Sequence, residues 1–388
     1  MTKKTIIIAM YCVLLSMGLH AQPKVDVQKE MEFAKAQYDL MLKSNPDINR
    51  FPQSIKKDGT LDTRKSEWWC SGFFGGSLWY IYEYTKDNKW KEAADKWTMA
   101  VEKEKHNTTT HDLGFMLYCP FGNGYRLTKN EKYKDIMLVG AESLATRFNP
   151  KIGLIKSWEE FKGYDYPVII DNMMNLEFLL WVAKESGDSN LYDISIKHAD
   201  NTLKNHFRKD YSSYHVVCYD STGNVLAKKT NQGAADESAW ARGQAWALYG
   251  YTMMYRETGN RKYLNQAKNI AKFIANHPNL PSDKIPYWDF NAPNIPNEER
   301  DASAAAITAS ALLELYSYTN HKAHFRLAEE MLVSLSSKAY TANLGENNYF
   351  LLKHSVGSKP YKSEVNTPII YADYYYLEAL LRYSKIRL

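Results

Sequence analysis

Cysteine is scarce in this chain, four residues in 388, and that scarcity excludes a scaffold built on disulfides. A dominant charge is missing too. With 49 Lys and Arg against 44 Asp and Glu, the formal charge is +5, too little for a broad field that would gather nucleic acid or anionic membrane. Beyond the N-terminal segment no apolar run reaches the ~20 residues of a membrane-spanning helix. No low-complexity tract and no Pro/Ser-rich linker divides the chain. Gly72–Gly76 and Gly122–Gly124 match neither a phosphate loop nor a dinucleotide turn, and no Gly-x-Ser-x-Gly elbow appears. His321 and His324 stand one helical turn apart without an acidic residue to complete a metal set, so a solvated helix face is the better reading.

The N-terminus reads as an export signal over residues 1–21. Lys3 and Lys4 precede an apolar stretch from Ile6 to Leu19, too short to span a bilayer securely, and Ala21 offers a small residue for cleavage. Cys12 follows Ala9-Met10-Tyr11, which lacks the small residues of a lipoprotein signal. Secretion across the inner membrane, most simply to a periplasm, is the expectation. Cleavage there removes two lysines and no acids, taking +5 to +3, and leaves Cys70, Cys119 and Cys218, which cannot all pair internally.

Aromatic residues are plentiful at 14%, including 29 Tyr and 10 Trp. Helical periodicity covers residues 22–388 almost throughout, in twelve segments near 26–44, 69–86, 89–104, 112–128, 131–148, 171–186, 190–207, 237–258, 261–275, 301–319, 322–337 and 367–385. Short polar breakers join consecutive pairs: Lys86-Asp87-Asn88, Lys129-Asn130, Ser186-Gly187-Asp188, Thr258-Gly259-Asn260 and Thr319-Asn320. First members of the pairs are small, apolar and aromatic; second members carry Lys and Glu faces. Two concentric layers follow, and six such hairpins closed into a ring make an all-α, single-domain (α/α)6 barrel. An open solenoid or a two-domain helical protein is the competing arrangement. Tyr214–Asp220 and Val225–Lys229 read as an inserted β-hairpin around Ser221-Thr222-Gly223-Asn224. Pro278–Glu299, with Pro281, Pro286, Pro293 and Pro296 after its first residue, reads as a long loop of the kind that often carries function.

The chemistry concentrates in THDLGF (110–115) and IIDNMMNLE (169–177), which set Asp112 and Asp171 at helix starts among the exposed-type aromatics Trp68, Trp69, Trp158, Trp240 and Trp246. Aromatic rings stack on sugars, and paired carboxylates suit acid/base work. Each aspartate also has a plainer reading as a helix cap. A helix N-terminus stabilises a carboxylate, so a general acid there needs burial or a second carboxylate to raise its pKa. His111 stands beside Asp112 and either hydrogen-bonds in the site or packs. Arg242, in SAWARGQAW (238–246), either grips a carboxylate bidentately or forms a structural ion pair.

Several stretches together resemble the unsaturated glucuronyl hydrolases, glycoside hydrolase family 88. They are WWCSGFFGGSLW (68–79), THDLGF, SWE (157–159), IIDNMMNLE, His215 with its DSTG turn, NQGAADESAWARGQAW (231–246), DASAAAITASALLEL (301–315) and SVGSKPYKSEVNTPIIYADYYYLEALL (355–381). They run in family order over nearly the whole chain. The resemblance implies an (α/α)6 barrel that hydrates the C4=C5 enol ether of an unsaturated uronate left by polysaccharide lyases, without cofactor or metal. It casts Asp171 as general acid/base and Asp112 as the second essential aspartate. Trp69, Trp158 and Trp246 fall at stacking positions; His215, Gln232 and Arg242 fall at polar substrate contacts. One departure is Cys70-Ser71, where many relatives carry a hydroxyl–aspartate pair.

The segment Ser355-Val356-Gly357-Ser358-Lys359-Pro360 offers hydroxyls and one cation of the kind a sulfate needs. Ser355, Ser358 and Lys359 are therefore candidate contacts to a sulfated neighbouring sugar, with an ordinary surface turn as the alternative. The resulting expectation is a preference for glycosaminoglycan disaccharides, chondroitin- or hyaluronan-type before heparin-type. The rivals are an unsaturated rhamnogalacturonyl hydrolase of pectin breakdown and a non-catalytic glycan-binding protein. Nothing in the sequence fixes the oligomeric state.

Overall fold

The computed structural model describes residues 25–387, so the expected signal segment lies outside the described residues. Its helices are α1 (Val27–Ser44), α2 (Ser71–Thr85), α3 (Asn88–Met99), α4 (Asn123–Thr128), α5 (Glu131–Ala145), α6 (Leu176–Ser186), α7 (Ser189–Asn205), α8 (Ala241–Thr258), α9 (Arg261–Asn276), α10 (Ala302–Thr319), α11 (Lys322–Leu335) and α12 (Ile370–Arg387). The even-numbered helices form an inner ring in which α2, the α4 segment, α6, α8, α10 and α12 pack in that order and α12 returns to α2. The odd-numbered helices form the outer layer, which makes this an (α/α)6 barrel. Five hairpins are consecutive in sequence. The sixth inner helix, α12, is backed by α1 from the other end of the chain, so the ring is closed by its two ends.

Sequence dictates the two layers. Helix α10 is buried continuously from Ala302 to Leu313, as an all-apolar helix must be. Helix α9 buries one stripe, Tyr263, Leu264, Ala267, Ile270, Ala271 and Ile274, and turns its lysines outward. The hairpin turns share one local design. A Ser or Thr ends each of the first five inner helices (Thr85, Thr128, Ser186, Thr258, Thr319), donates to the carbonyl four residues back and accepts the N–H two residues on. The next residue is left-handed: Lys86, Lys129, Gly187, Gly259 or Asn320. In four of the five turns the following Asp or Asn (Asp87, Asn130, Asp188, Asn260) caps the outer helix with its side chain.

Because these turns use up one mouth of the barrel, every long connection falls at the other. There the structure departs from the expected single hairpin and carries four small antiparallel sheets. They comprise β1 (Phe51–Ile55) with β2 (Leu61–Arg64), β3 (Phe148–Asn149) with β4 (Leu154–Ile155), β5 (Pro167–Ile169) beside β6 (Val216–Tyr219) and β7 (Val225–Lys229), and β8 (Ser355–Ser358) with β9 (Ser363–Thr367). Strands of two to five residues are too short for alternation to show in sequence.

Two inner segments are not α-helical where periodicity predicted it. Gly114–Gly122 winds as a π-helix containing Pro120, which has no N–H to give an i→i−4 ladder. Ile170–Asn175 is a 3-10 turn that leads into α6. The π segment lies so close to α2 that a Cβ on Gly72 would overlap the Phe115 and Met116 carbonyl oxygens. Gly72→Ala should therefore destabilise the barrel by about 1–3 kcal/mol. A urea melt with an unchanged midpoint would contradict that packing.

Candidate active site

Trp69 lies just before α2, Asp112 two residues before the π segment, Asp171 on the 3-10 turn before α6, Arg242 in the first turn of α8 and Tyr371 in the first turn of α12. The inner helices thus point their N-terminal ends, with their partial positive charge, at one mouth. That mouth holds a cleft of about 490 Å³ lined by Trp69, Asp112, Trp158, Gln232, Arg242 and Ser358, with Glu67, Trp68, Asn231, Gly357, Tyr361, Glu364 and Tyr371 completing its walls.

Neither aspartate caps its helix. Asp112 accepts a hydrogen bond from Thr110 Oγ1 at 3.0 Å, and His111 Nε2 stands 3.4 Å from its other oxygen. Asp171 lies one layer deeper, 8% exposed, and its Oδ2 has no hydrogen-bond partner. Burial raises its pKa to about 7; the Asp112 charge adds to the rise, while the Arg242 guanidinium and the Trp246 indole oppose it. A carboxyl that is half protonated near neutrality is suited to give and retake a proton.

His215 is fixed by its surroundings. Its Nδ1 accepts from the backbone N–H groups of Asn231 and Gln232, both at 3.2 Å, which leaves the ring proton on Nε2, 3.8 Å from Asp171 Oδ2. Burial, reinforced by Arg242, holds its pKa well below the usual range, so the ring is a neutral donor. The loop that carries Asn231 and Gln232 is itself pinned by buried Asp289, which accepts from Ala234 N at 2.8 Å and Ser238 Oγ at 2.6 Å. Gln232 Nε2 and Arg242 Nη2 both donate to the Gly357 carbonyl, at 2.9 and 2.7 Å. Arg242 also meets Asp301 at 3.3 Å and the Val356 carbonyl, and lies over the Trp240 ring. Of the two readings the structural ion pair is the one seen: Asp301 and two backbone carbonyls engage both terminal nitrogens, the buried Nε has no partner, and the residue lines the cleft.

Five expected contacts lie outside the cleft lining: His215, buried beside Asp171, and four more. Trp246 is not a stacking platform; it is fully buried, packed on Phe115 and Tyr375 beneath Asp171. His111 is buried behind Asp112 and does not line the cleft. Ser355 is likewise fully buried. Lys359 points away from the cleft and pairs with Glu298 at 3.4 Å and with Glu299. Its charge is answered within the protein, and the cation of the expected sulfate site is absent from the lining. Cys70 and Ser71 are buried and also outside the lining. The residues that sequence reasoning missed are Tyr361, Glu364 and Tyr371, placed here by the β8–β9 hairpin and the start of α12. Only the pairing register could have shown that Gly357 sits beside Glu364.

A second cavity of about 430 Å³ opens at the opposite mouth, where Glu177, Arg256, Glu378 and Arg382 line it. These charges answer one another: Arg256 and Arg382 each bond Glu314, at 2.8 and 2.9 Å, and Arg382 reaches Glu378 at 3.3 Å. That network closes the barrel floor. The mouth where Asp112 lines the cleft and its charge acts on the deeper Asp171 is the candidate active site.

Comparisons with known proteins point to one family and one fold. The sequence model of Glycosyl Hydrolase Family 88 matches residues 44–376. An unsaturated glucuronyl hydrolase of Formosa agariphila is 49% identical over 338 residues, covering 86% of this chain and 84% of that protein. An unsaturated chondroitin disaccharide hydrolase of Streptococcus agalactiae is 31% identical over 373 residues, covering 93% and 92%. Among solved structures, an unsaturated glucuronyl hydrolase specific for heparin superposes with a TM-score of 0.91 at 48% identity, covering 93% of this chain and 97% of that one.

Proposed function

Since the chain belongs to glycoside hydrolase family 88, we propose that it removes the 4-deoxy, C4=C5 unsaturated uronic acid from glycosaminoglycan oligosaccharides released by lyases. The observation that carries this reading is Asp171: a buried carboxyl with a pKa of about 7, beside a second aspartate and a neutral histidine, under an aromatic-walled cleft. Asp171 gives its proton to C4, and positive charge develops at C5 and the ring oxygen. Water then adds at C5 and returns a proton to the Asp171 carboxylate. The hemiketal so formed opens to a 5-keto sugar, and the hemiacetal at C1 expels the remaining glycan as an alcohol. Because no bond to the anomeric carbon is displaced by a nucleophile, carboxylate spacing does not predict retention or inversion here.

Asp112 stabilises the developing cation and keeps the Asp171 proton in place. Trp69 and Trp158 wall the sugar ring, and Arg242 is the one Lys or Arg in the cleft lining, suited to the uronate carboxylate. The export signal expected over residues 1–21 would place the reaction outside the cytoplasm. A panel of lyase-generated disaccharides, chondroitin-, hyaluronan- and heparin-type, with loss of the alkene absorbance as readout, tests the proposal. The similarity to a heparin-specific structure is a reason to include heparin-type substrates from the start. Turnover of unsaturated rhamnogalacturonan fragments alone would replace the glycosaminoglycan reading. Binding without turnover of any of them would replace it with a glycan-binding role.

The engagement of Lys359 makes its own prediction. Lys359→Ala should leave the ratio of turnover on sulfated and unsulfated disaccharides unchanged, because the ammonium is paired outside the cleft. A selective loss on sulfated substrates would restore it as a sulfate contact.

A further inference from the structure

The proline-rich stretch from Pro278 to Glu299 lies between α9 and α10 without a helix or strand of its own. Part of it runs antiparallel to the entry of α8: Phe290 N–H donates to the Ala239 carbonyl at 2.9 Å and Ala241 N–H to the Trp288 carbonyl at 3.1 Å. That bridge sets Asp289 opposite Trp240. Asp289 is fully buried and outside the cleft lining. Its Oδ2 accepts from Ala234 N and Ser238 Oγ, and its Oδ1 accepts from Asn291 N at 2.8 Å. Burial raises its pKa, and these three bonds with the Arg208 charge oppose the rise. Gly233 closes directly on the carboxyl: a Cβ there would come within 3.0 Å of Asp289 Oδ2 and 2.7 Å of Thr230 Oγ1.

The segment held by this carboxyl, residues 230–238, carries the Asn231 and Gln232 N–H groups that both point at His215 Nδ1. Its outer edge is fixed by half-buried Asp236, which accepts from Thr230 N at 3.0 Å, and by exposed Tyr361, which donates to Asn231 Oδ1 at 2.8 Å. Its inner edge is fixed by Asp289. The same bridge fixes the backbone of Trp240, whose ring lies 4.4 Å from the His215 ring. An Nδ1 that receives two N–H bonds is an acceptor, so the ring proton sits on Nε2, which faces Asp171 Oδ2. A donor in that place cannot take the Asp171 proton, and it favours the carboxylate left once that proton has moved to the substrate. The other tautomer would set a basic nitrogen against the carboxyl O–H and hold back the proton that C4 requires.

We propose that Asp289 is a positioning residue for this chemistry: it anchors segment 230–238 so that His215 is locked in the tautomer that donates towards Asp171. The inference rests on the hydrolase reading above and gives the Pro278–Glu299 stretch a part in it. Groups that fix the tautomer of a metal-bound histidine from behind change activity by about 10–100-fold, and the same physics applies to a histidine set against an acid.

The test uses the full chain with isotope-labelled histidine, and its first readout, nitrogen NMR of the ring, needs no substrate. Wild type should show the His215 ring as a single tautomer, protonated on Nε2 and bare on Nδ1, assigned against a His215→Gln variant. Asp289→Asn keeps the shape of the carboxyl, but an amide accepts on one side only, so one of the three donors is opposed by an NH2 group. That variant should show both tautomers of His215 and lose about 10–100-fold in kcat/KM on the disaccharide that wild type turns over best. In a His215→Gln background the same substitution should cost less than about threefold, because its effect runs through the ring. A folded Asp289→Asn that keeps the single tautomer, or that loses equally in both backgrounds, would overturn the proposal. If Asp289→Asn does not fold, Ser238→Ala removes one bond to the carboxyl with little change in volume, and an unchanged tautomer and rate in that variant would overturn it as well. Wild-type inactivity on every disaccharide would remove the hydrolase reading, while the NMR readout still decides whether Asp289 sets the tautomer.

Discussion

Asp171→Asn should lose roughly two to four orders of magnitude in kcat, the usual cost of removing a general acid/base, while the protein stays folded. The amide keeps the shape of the carboxyl and cannot protonate C4. Folding is preserved because no ion pair or hydrogen bond holds Asp171 Oδ2. Stability gives a second readout, with a sign fixed by the raised pKa. In the unfolded chain the carboxyl ionises near its ordinary value of 3.8, and in the folded protein near 7. Its contribution to stability is therefore full below 3.8 and is lost as pH rises through 7. The Asn variant carries no such loss, so its urea midpoint should gain on wild type between pH 5 and pH 8. Near-wild-type turnover in a folded variant would refute the role; a midpoint difference independent of pH would refute the raised pKa.

Replacing Asp112 by Asn should slow the reaction by about 10²–10³-fold, the range for removing one preorganised charge from beside a charged transition state. It should also move the alkaline limb of the pH–rate profile to lower pH. The acid must be protonated to act, so activity falls as pH rises through its pKa, and the Asp112 charge is one of the causes that raise that pKa. Removing the charge lets Asp171 ionise earlier. Burial is the larger cause and remains, so the limb shifts without returning to an ordinary carboxylate value. Since His111 Nε2 is within 3.4 Å of Asp112, Asp112→Asn also removes the charge that opposes the lowering of His111 by burial. A full-rate variant with an unmoved profile would leave Asp112 a structural residue only.

The two-layer barrel, the five consecutive hairpin turns and the two aspartates were legible in the sequence for local reasons. An inner helix has to be apolar all round and an outer one on a single stripe, and that difference is written in 3.6-residue periodicity. The turn signals repeat because one backbone problem, a left-handed residue followed by a cap, has few residue solutions. Asp112 and Asp171 were identifiable because each opens an apolar segment at the same mouth. What periodicity does not contain is the far side of each residue. Gly114–Gly122 winds as a π-helix whose Phe115 and Met116 carbonyls pack on Gly72 of α2, a contact between segments far apart in sequence. Trp246 and Ser355 lie under the site instead of in it because depth along the barrel axis, unlike helical phase, is set by neighbouring helices. Lys359 looked like a free cation until Glu298 and Glu299, some sixty residues earlier in the chain, were folded against it. Glu364 entered the cleft through the register that sets it beside Gly357. The sequence by itself determined the layers, the turns and the two candidate carboxyls, since each depends on residues within a few turns of one another. Tertiary structure alone decided the charge balance of the cleft, because electrostatic partners are chosen by distance in space.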